Sequence, residues 1–438
     1  MAITAKIFNR RLGSMLARLM LIFCAYGMST VGTYAQVAAP VAMSRGAYLA
    51  AAADCAACHT AGPQHPPFAG GLAINSPFGT IFATNITPDP VAGIGRYSLQ
   101  DFTSAVREGI SKGGNRLYPA MPYASFSAIS DDDVKALYEY FMHEVTPVNV
   151  LPAQTKLSFP FNQRWGIRIW DTFFADQKRF KNRKEHDSEW NRGAYLVESL
   201  GHCGACHTRR GIAYQEEGYS NASKQFLTGE VLDNWFASNL TGDLASGLGR
   251  WSESDIVSFL KTGRGGQVAA FGSMISVIEN STQFMRDDDL HAIAHYLKSL
   301  SAQGEHTAYR PDALAVASTS SAILTGKTEQ PGVGLYLSAC AKCHQANGNG
   351  EPIKFPKLAG SSAVLSSDAT SLIRLVMEGG KTARTTDGGK PEDMPGFEKK
   401  FTDGEIADIL SFIRNSWGNH APAVTTHDVT KLRAKLKK

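Results

Sequence analysis

Three stretches of the chain place apolar residues at helical spacing over about two turns. They are Asp133-Val-Lys-Ala-Leu-Tyr-Glu-Tyr140, Asp289-Leu-His-Ala-Ile-Ala-His-Tyr296 and Glu405-Ile-Ala-Asp-Ile-Leu-Ser-Phe412. In the third, Ile406, Ile409, Leu410 and Ile413 fall at i, i+3, i+4 and i+7, the stripe of an amphipathic helix. Thr402 and Glu405 make a capping box at its start. A second recurring segment precedes each of these: Gly46-Ala-Tyr48-Leu49, Gly193-Ala-Tyr195-Leu196 and Gly334-Leu-Tyr336-Leu337. Each predicts a short opening helix whose small Gly and aromatic face the aromatic seven residues into the closing helix (Tyr140, Tyr296, Phe412). Gly/Pro-rich stretches lie between, so the pattern is a helical unit repeated three times.

The first two units also share a middle block. Thr84-Asn-Ile-Thr87 and Gly93-Ile-Gly-Arg96-Tyr-Ser98 answer to Ser238-Asn-Leu-Thr241 and Gly247-Leu-Gly-Arg250-Trp-Ser252 at a constant offset of 154. That is the mark of a duplication. The third unit lacks the block and is more compact. Between units, residues 151–188 hold Phe159, Phe161, Trp165, Trp170, Phe173 and Phe174, too apolar for a plain linker, and should pack on a domain or a partner. Residues 305–330, rich in Ala, Ser and Thr, read as a true linker.

Composition fits a globular chain of several domains: 438 residues, 43% apolar, 19% charged, 41 Gly and 19 Pro. The net charge of +4 is no argument for nucleic acid. It belongs to the N-terminus, where residues 1–35 carry Lys6, Arg10, Arg11 and Arg18 and no acid. An apolar run, Met20 to Tyr26, and the small-residue end Thr33-Tyr-Ala35 complete the order of a secretory signal peptide. The run is far short of the ~20 residues a membrane span needs. Cleavage would remove Cys24 and leave 40 basic and 40 acidic residues.

The six remaining cysteines all sit in one motif: Cys55-Ala-Ala-Cys58-His59, Cys203-Gly-Ala-Cys206-His207 and Cys340-Ala-Lys-Cys343-His344. Cys-x-x-Cys-His is the attachment sequence of c-type haem. Two thiols one helical turn apart add to the two vinyl groups, and the next residue brings an imidazole to the iron. A redox dithiol or half a zinc site is the alternative for one copy, and disulfides are the alternative for six exported cysteines. Neither explains three copies with three histidines. The expectation is three covalently bound haem c groups held by Cys55, Cys58, Cys203, Cys206, Cys340 and Cys343.

A methionine as sixth ligand would fill the iron and suit electron transfer. Met121, in Tyr118-Pro-Ala-Met-Pro122, and Met394, in Asp393-Met-Pro-Gly396, lie twelve and eleven residues before their closing helices in proline-stiffened loops. The second unit offers Met274 and Met285. Met285 is too close to Asp289 to swing across a haem, so Met274 is the expected ligand. Met142 and Met377 read as core. His65, His143, His186, His202, His291 and His295 read as surface or core, with His143 and His202 the ones a bis-histidine haem would use. Arg96 and Arg250, with Asn85 and Asn239, either reach haem propionates or close loops.

These residues resemble a known family, the three-haem cytochrome c subunits of bacterial membrane-bound dehydrogenases. Phe68-Ala-Gly-Gly71, Leu117 to Pro122, Tyr138 to His143, Ser281-Thr-Gln283 and Ile413 to Gly418 carry the likeness along with the haem motifs. The resemblance implies His59, His207 and His344 as proximal ligands and Met121, Met274 and Met394 as distal ones. It implies an all-α fold of three tandem cytochrome c domains. It also implies a catalytic dehydrogenase subunit of flavin or PQQ type, a small third subunit, and ubiquinone as acceptor. The gluconate group is the nearer match, the quinoprotein alcohol group the alternative. The expected location is the periplasmic face of the cytoplasmic membrane, with peripheral association. The basic tail Val429 to Lys438 either lies on that surface or forms an ordinary helix.

The expected organisation is a signal at 1–35, domains at 36–150, 189–304 and 331–420, connectors at 151–188 and 305–330, and a basic tail at 421–438. No serine-protease triad, phosphate loop or dinucleotide glycine pattern appears, so substrate oxidation falls to the partner. A stand-alone multihaem peroxidase or sulfur-compound oxidase would need a haem without methionine or a spare cysteine; a haem sensor would need a signalling domain.

Overall fold

The computed structural model describes residues 43–175, 178–266, 268–303, 309, 320–325 and 330–437. The expected signal segment with Cys24, and most of the expected 305–330 linker, lie outside them. The described chain is mainly helical, as the patterning predicts, with four small two-stranded antiparallel sheets in addition. The longest pairs Ala73–Ser76 with Gly79–Phe82. Strands of two to four residues carry too little alternation to stand out from the Gly-rich stretches in which they lie.

The opening and closing helices pack as the repeated pattern requires. Arg45–Ala52 crosses Asp131–His143, and Ser188–Tyr195 crosses Asp287–Ser299. A methyl group on Gly46 would collide with the Ala136 carbonyl and Tyr140, and one on Gly193 with the Ala292 carbonyl and Tyr296. The second unit has one more residue between its glycine and its first cysteine. A π-helical turn, Leu196–Leu200, absorbs it. The third unit corrects the sequence reading. Gly334 on Val333–Ala339 faces open space, and Gly332, at φ 85°, meets the Asp408 carbonyl instead. Tyr336 still meets Phe412, with ring centroids 5.3 Å apart.

Residues of the first two units share one core, including Leu137, Phe141, Leu196, Leu200, Leu290 and Tyr296. The chain from Ile323 to Leu432 has its own, around Tyr336, Ile406, Ile409 and Trp417. A smaller apolar group, Ala270 and Ile278 with Ala383, joins the second segment to the third. The chain's end belongs to the third core. The helix Thr426–Leu436 buries Val429 and Leu432, and Arg433 bonds Asp403 at 2.7 Å. Of the two readings of the basic tail, the structure takes the ordinary helix.

The 151–188 connector contains the helix Arg164–Phe174. Its inner side is tied down: Ile167 is buried, Trp170 donates to the Ala213 carbonyl, and Asp171 accepts from Tyr123 at 2.6 Å and Arg116 at 2.9 Å. The expected packing holds for that side alone. Trp165, Ile169 and Phe173, four residues apart, are 68%, 51% and 74% exposed, beside Phe159 at 79%. No helix among the described residues is long and apolar enough to cross a membrane.

Candidate haem sites

Each Cys-x-x-Cys-His motif forms a single helical turn: Cys55–His59, Gly204–His207 and Ala341–His344. The histidine that ends each turn is held in the same way. His59 Nδ1 lies 2.6 Å from the Thr84 carbonyl, His207 Nδ1 2.6 Å from the Ser238 carbonyl, and His344 Nδ1 2.9 Å from the Pro356 carbonyl. A carbonyl only accepts, so Nδ1 carries the hydrogen and Nε2 carries the lone pair. Burial lowers all three imidazoles below their ordinary range against the opposing carbonyl bond, which keeps them neutral. A neutral ring with its tautomer fixed by a carbonyl is the state a metal ligand needs.

The duplicated block explains two of these contacts. Thr84 and Ser238 stand just before Asn85 and Asn239, whose side-chain oxygens accept from Thr87 N and Thr241 N, both at 2.8 Å. Their amides donate to Val148, Val150 and Gln303 carbonyls, so these asparagines close loops. Arg250 does likewise, binding the Leu244 and Gly360 carbonyls at 2.6 Å. Arg96 is exposed. The loop-closing alternative holds for Asn85, Asn239 and Arg250, and the block's chemical task is to aim a carbonyl at the histidine.

None of the six cysteines is in a disulfide. Burial pushes the thiols of Cys55 and Cys203 up to about 12 and that of Cys340 up to about 11. Two thiols and an imidazole on one turn, with a fixed Nε2 lone pair, fit a covalently attached haem iron.

The methionines differ in their surroundings. Met285 and Met377 are fully in the cores, and Met142 packs against one. Met121, Met274 and Met394 are partly buried at core edges. Met121 precedes the short helix Tyr123–Phe126, and Met394 lies in a strand paired with Gly380–Lys381. Met274 is in the first turn of Ser273–Asn280. Three of the other histidines have other partners: His143 pairs with Glu139, His186 stacks on Trp190, and His295 faces Glu253. His202 packs edge-on against Phe126 at 5.1 Å.

That last contact is part of an exchange between the first two segments. Tyr123–Phe126, after Met121, packs on the turn Leu196–Leu200 leading into the second motif. The Met274 helix packs on the first motif turn, Cys55–His59, and Met274 itself joins the patch that contains Ala383 of the third segment. Sequence reasoning missed two acids in this region, Asp54 and Glu216. Asp54 holds a left-handed backbone (φ 52°) just before Cys55, and Glu216 is buried near Cys206. Asp54's place next to the first motif was visible in the sequence; Glu216 is marked out only by its closeness to Cys206 in space.

Residues 330–417 match the family model of cytochrome c, a stretch holding the third motif and Met394. The chain is 46% identical over 432 residues to the cytochrome c subunit of a quinone alcohol dehydrogenase from Gluconacetobacter polyoxogenes, covering 96% of this chain and 91% of that one. It is 46% identical over 399 residues to the gluconate 2-dehydrogenase cytochrome c subunit of Pantoea cypripedii, 89% of each chain. It is 39% identical over 411 residues to the fructose dehydrogenase cytochrome subunit of Gluconobacter japonicus, 90% of this chain and 82% of that one.

Proposed function

The chain belongs to the cytochrome c subunits of the alcohol, gluconate 2- and fructose dehydrogenases, and we propose that it carries electrons through three haem c groups to membrane ubiquinone. The observation that supports a count of three is the repeated histidine geometry. His59, His207 and His344 each present a neutral ring fixed through Nδ1 by a backbone carbonyl. In this reading the thioether anchors are Cys55, Cys58, Cys203, Cys206, Cys340 and Cys343. Met121, Met274 and Met394 are the distal ligands, each haem having its own small cytochrome c domain. Haem supplies the one-electron chemistry. The protein supplies ligands, spacing and polarity.

The second site is the middle of the path. The Met274 helix packs on the first motif and Met274 shares its apolar patch with Ala383 of the third segment. The donor is a catalytic subunit of flavin gluconate type or quinoprotein alcohol type, the two relatives being equally similar at 46%; a small third subunit completes the assembly. The exposed side of Arg164–Phe174 meets the periplasmic face of the cytoplasmic membrane. Trp165, Ile169 and Phe173 supply the apolar contact and the exposed Arg168 a cation for anionic headgroups. Flotation with anionic vesicles, reduced in Trp165→Glu/Phe173→Glu, tests that face.

Stopped-flow absorbance of the purified chain, mixed with its dehydrogenase subunit and substrate, tests the function. Haem reduction requires both, and ubiquinone analogue reoxidises the haems. Substrate oxidation by the chain alone, or peroxidase turnover, would overturn it.

A further inference from the structure

The first and second motifs meet where Cys58 and Cys206 lie within each other's electrostatic reach, and two acids stand there. Asp54 acts on Cys55, Cys58 and Cys206, and Glu216 acts on Cys206. Both carboxyls are under-satisfied. Asp54 Oδ1 and Glu216 Oε2 are buried and accept no hydrogen bond among the described residues. Glu216 is 8% exposed, and the cation facing it is Arg210, 3.9 Å away. That pairing is loose because Arg210 is engaged elsewhere: its guanidinium donates to the Ala205 and Tyr214 carbonyls and lies over the Tyr214 ring. From the motif turn, Gly204 and Thr208 face the same space, and Phe226 closes it with an apolar ring.

A buried carboxylate with a weak counter-ion has a charge that depends on every other charge nearby. We propose that Glu216 is a redox-linked proton site for the centre at Cys203, Cys206 and His207, with Asp54 as a weaker companion on the side of the first motif. This rests on the reading that those residues carry a haem. As one electron from the reduced dehydrogenase subunit converts the ferric iron to ferrous, the Glu216 carboxylate binds one proton from solvent. When the electron passes to the acceptor, the proton returns to solvent. Burial already pushes Glu216 up to about 7 and raises Asp54, so the switch operates near neutrality. An ionised Glu216 favours the ferric state, so the potential of this centre falls as the pH rises. The equilibrium constant for its reduction changes by up to about tenfold per pH unit where the coupling is complete.

The test is an equilibrium redox titration of the purified holo chain, followed in the haem visible bands, between about pH 5.5 and about pH 8.5. One midpoint potential should fall through neutrality in the natural chain. Glu216→Gln should flatten that fall and hold the potential near its acid-side value. Glu216→Asp, which keeps the acid, should retain a displaced fall, and Asp54→Asn should give a smaller change of the same sign. Potentials flat with pH in the natural chain, or a fall unchanged in Glu216→Gln, would overturn the proposal. Haem content per chain is measured in parallel with Cys203→Ala/Cys206→Ala. Unchanged haem in that variant would overturn the underlying haem reading instead, whereas one haem fewer in that variant together with a flat profile in the natural chain would overturn the proton site alone.

Discussion

The Tyr195 hydroxyl, on the helix leading into the second motif, donates a 2.6 Å hydrogen bond to Asp133 on the closing helix of the first. Tyr48 returns the contact to Asp289, so the two segments exchange the same pair of residues in both directions. Each aspartate is also held by its own segment, Asp133 by Arg45 at 2.6 Å and Asp289 by Arg192 at 2.6 and 2.7 Å. The arrangement is that of a two-fold dimer interface made inside one chain, and it fixes the distance between the first two motifs.

The two aspartates are not equivalent. Arg192 is about one-third exposed, at 32%, whereas Arg45 is 66% exposed and can return to water. Asp289→Ala strands a half-buried guanidinium and should cost about 3 kcal/mol. Asp133→Ala should cost about 1 kcal/mol. Urea unfolding midpoints of the two variants check the order.

Acid should loosen this interface. Burial alone would raise Asp289, but hydrogen bonds from Arg192 and Tyr48 and the Arg192 and Arg286 charges outweigh it and hold its carboxyl below the ordinary range. A lowered folded-state value contributes stability above the unfolded value of about 4 and loses it as the pH falls further. The natural chain should therefore lose stability below about pH 4 more steeply than Asp289→Asn, as read by thermal unfolding at graded pH.

Glycine substitutions separate the crossings. Gly193→Ala and Gly332→Ala place a methyl group against a backbone carbonyl and should cost about 1–3 kcal/mol each. Gly334→Ala, in a helix with open space around it, should be neutral or stabilising by up to about 1 kcal/mol. Thermal unfolding of the three variants measures both directions.

Met274 and Met285 make a matched pair for the ligand assignment. Met274→Leu should remove one methionine-to-iron charge-transfer band in the near infrared, leaving the others. Met285→Leu, within the core, should keep every band and change stability by less than about 1.5 kcal/mol. Loss of a band in Met285→Leu would reverse the assignment.

Motifs and helix pairs were legible because each rests on local spacing. The Thr402–Glu405 capping box and the core positions Ile406, Ile409 and Leu410 appear where the pattern puts them. The reciprocal Tyr48–Asp289 and Tyr195–Asp133 pairs were not, since they join residues 241 and 62 positions apart and follow from how two units pack. The Gly332 crossing was missed because the third unit keeps the Gly-x-Tyr-Leu letters while shifting the register by two. The tail's apolar positions, Val429 and Leu432, were visible, but periodicity alone does not say whether such a stripe faces lipid or core.

The central claim is that all three motifs carry covalent haem. Intact mass spectrometry of the purified, alkylated chain tests it directly. The account gives a mass larger than the polypeptide by three haems, with no alkylated cysteine at positions 55, 58, 203, 206, 340 or 343. A mass with one or two haems, or alkylation at any of the six, would contradict it.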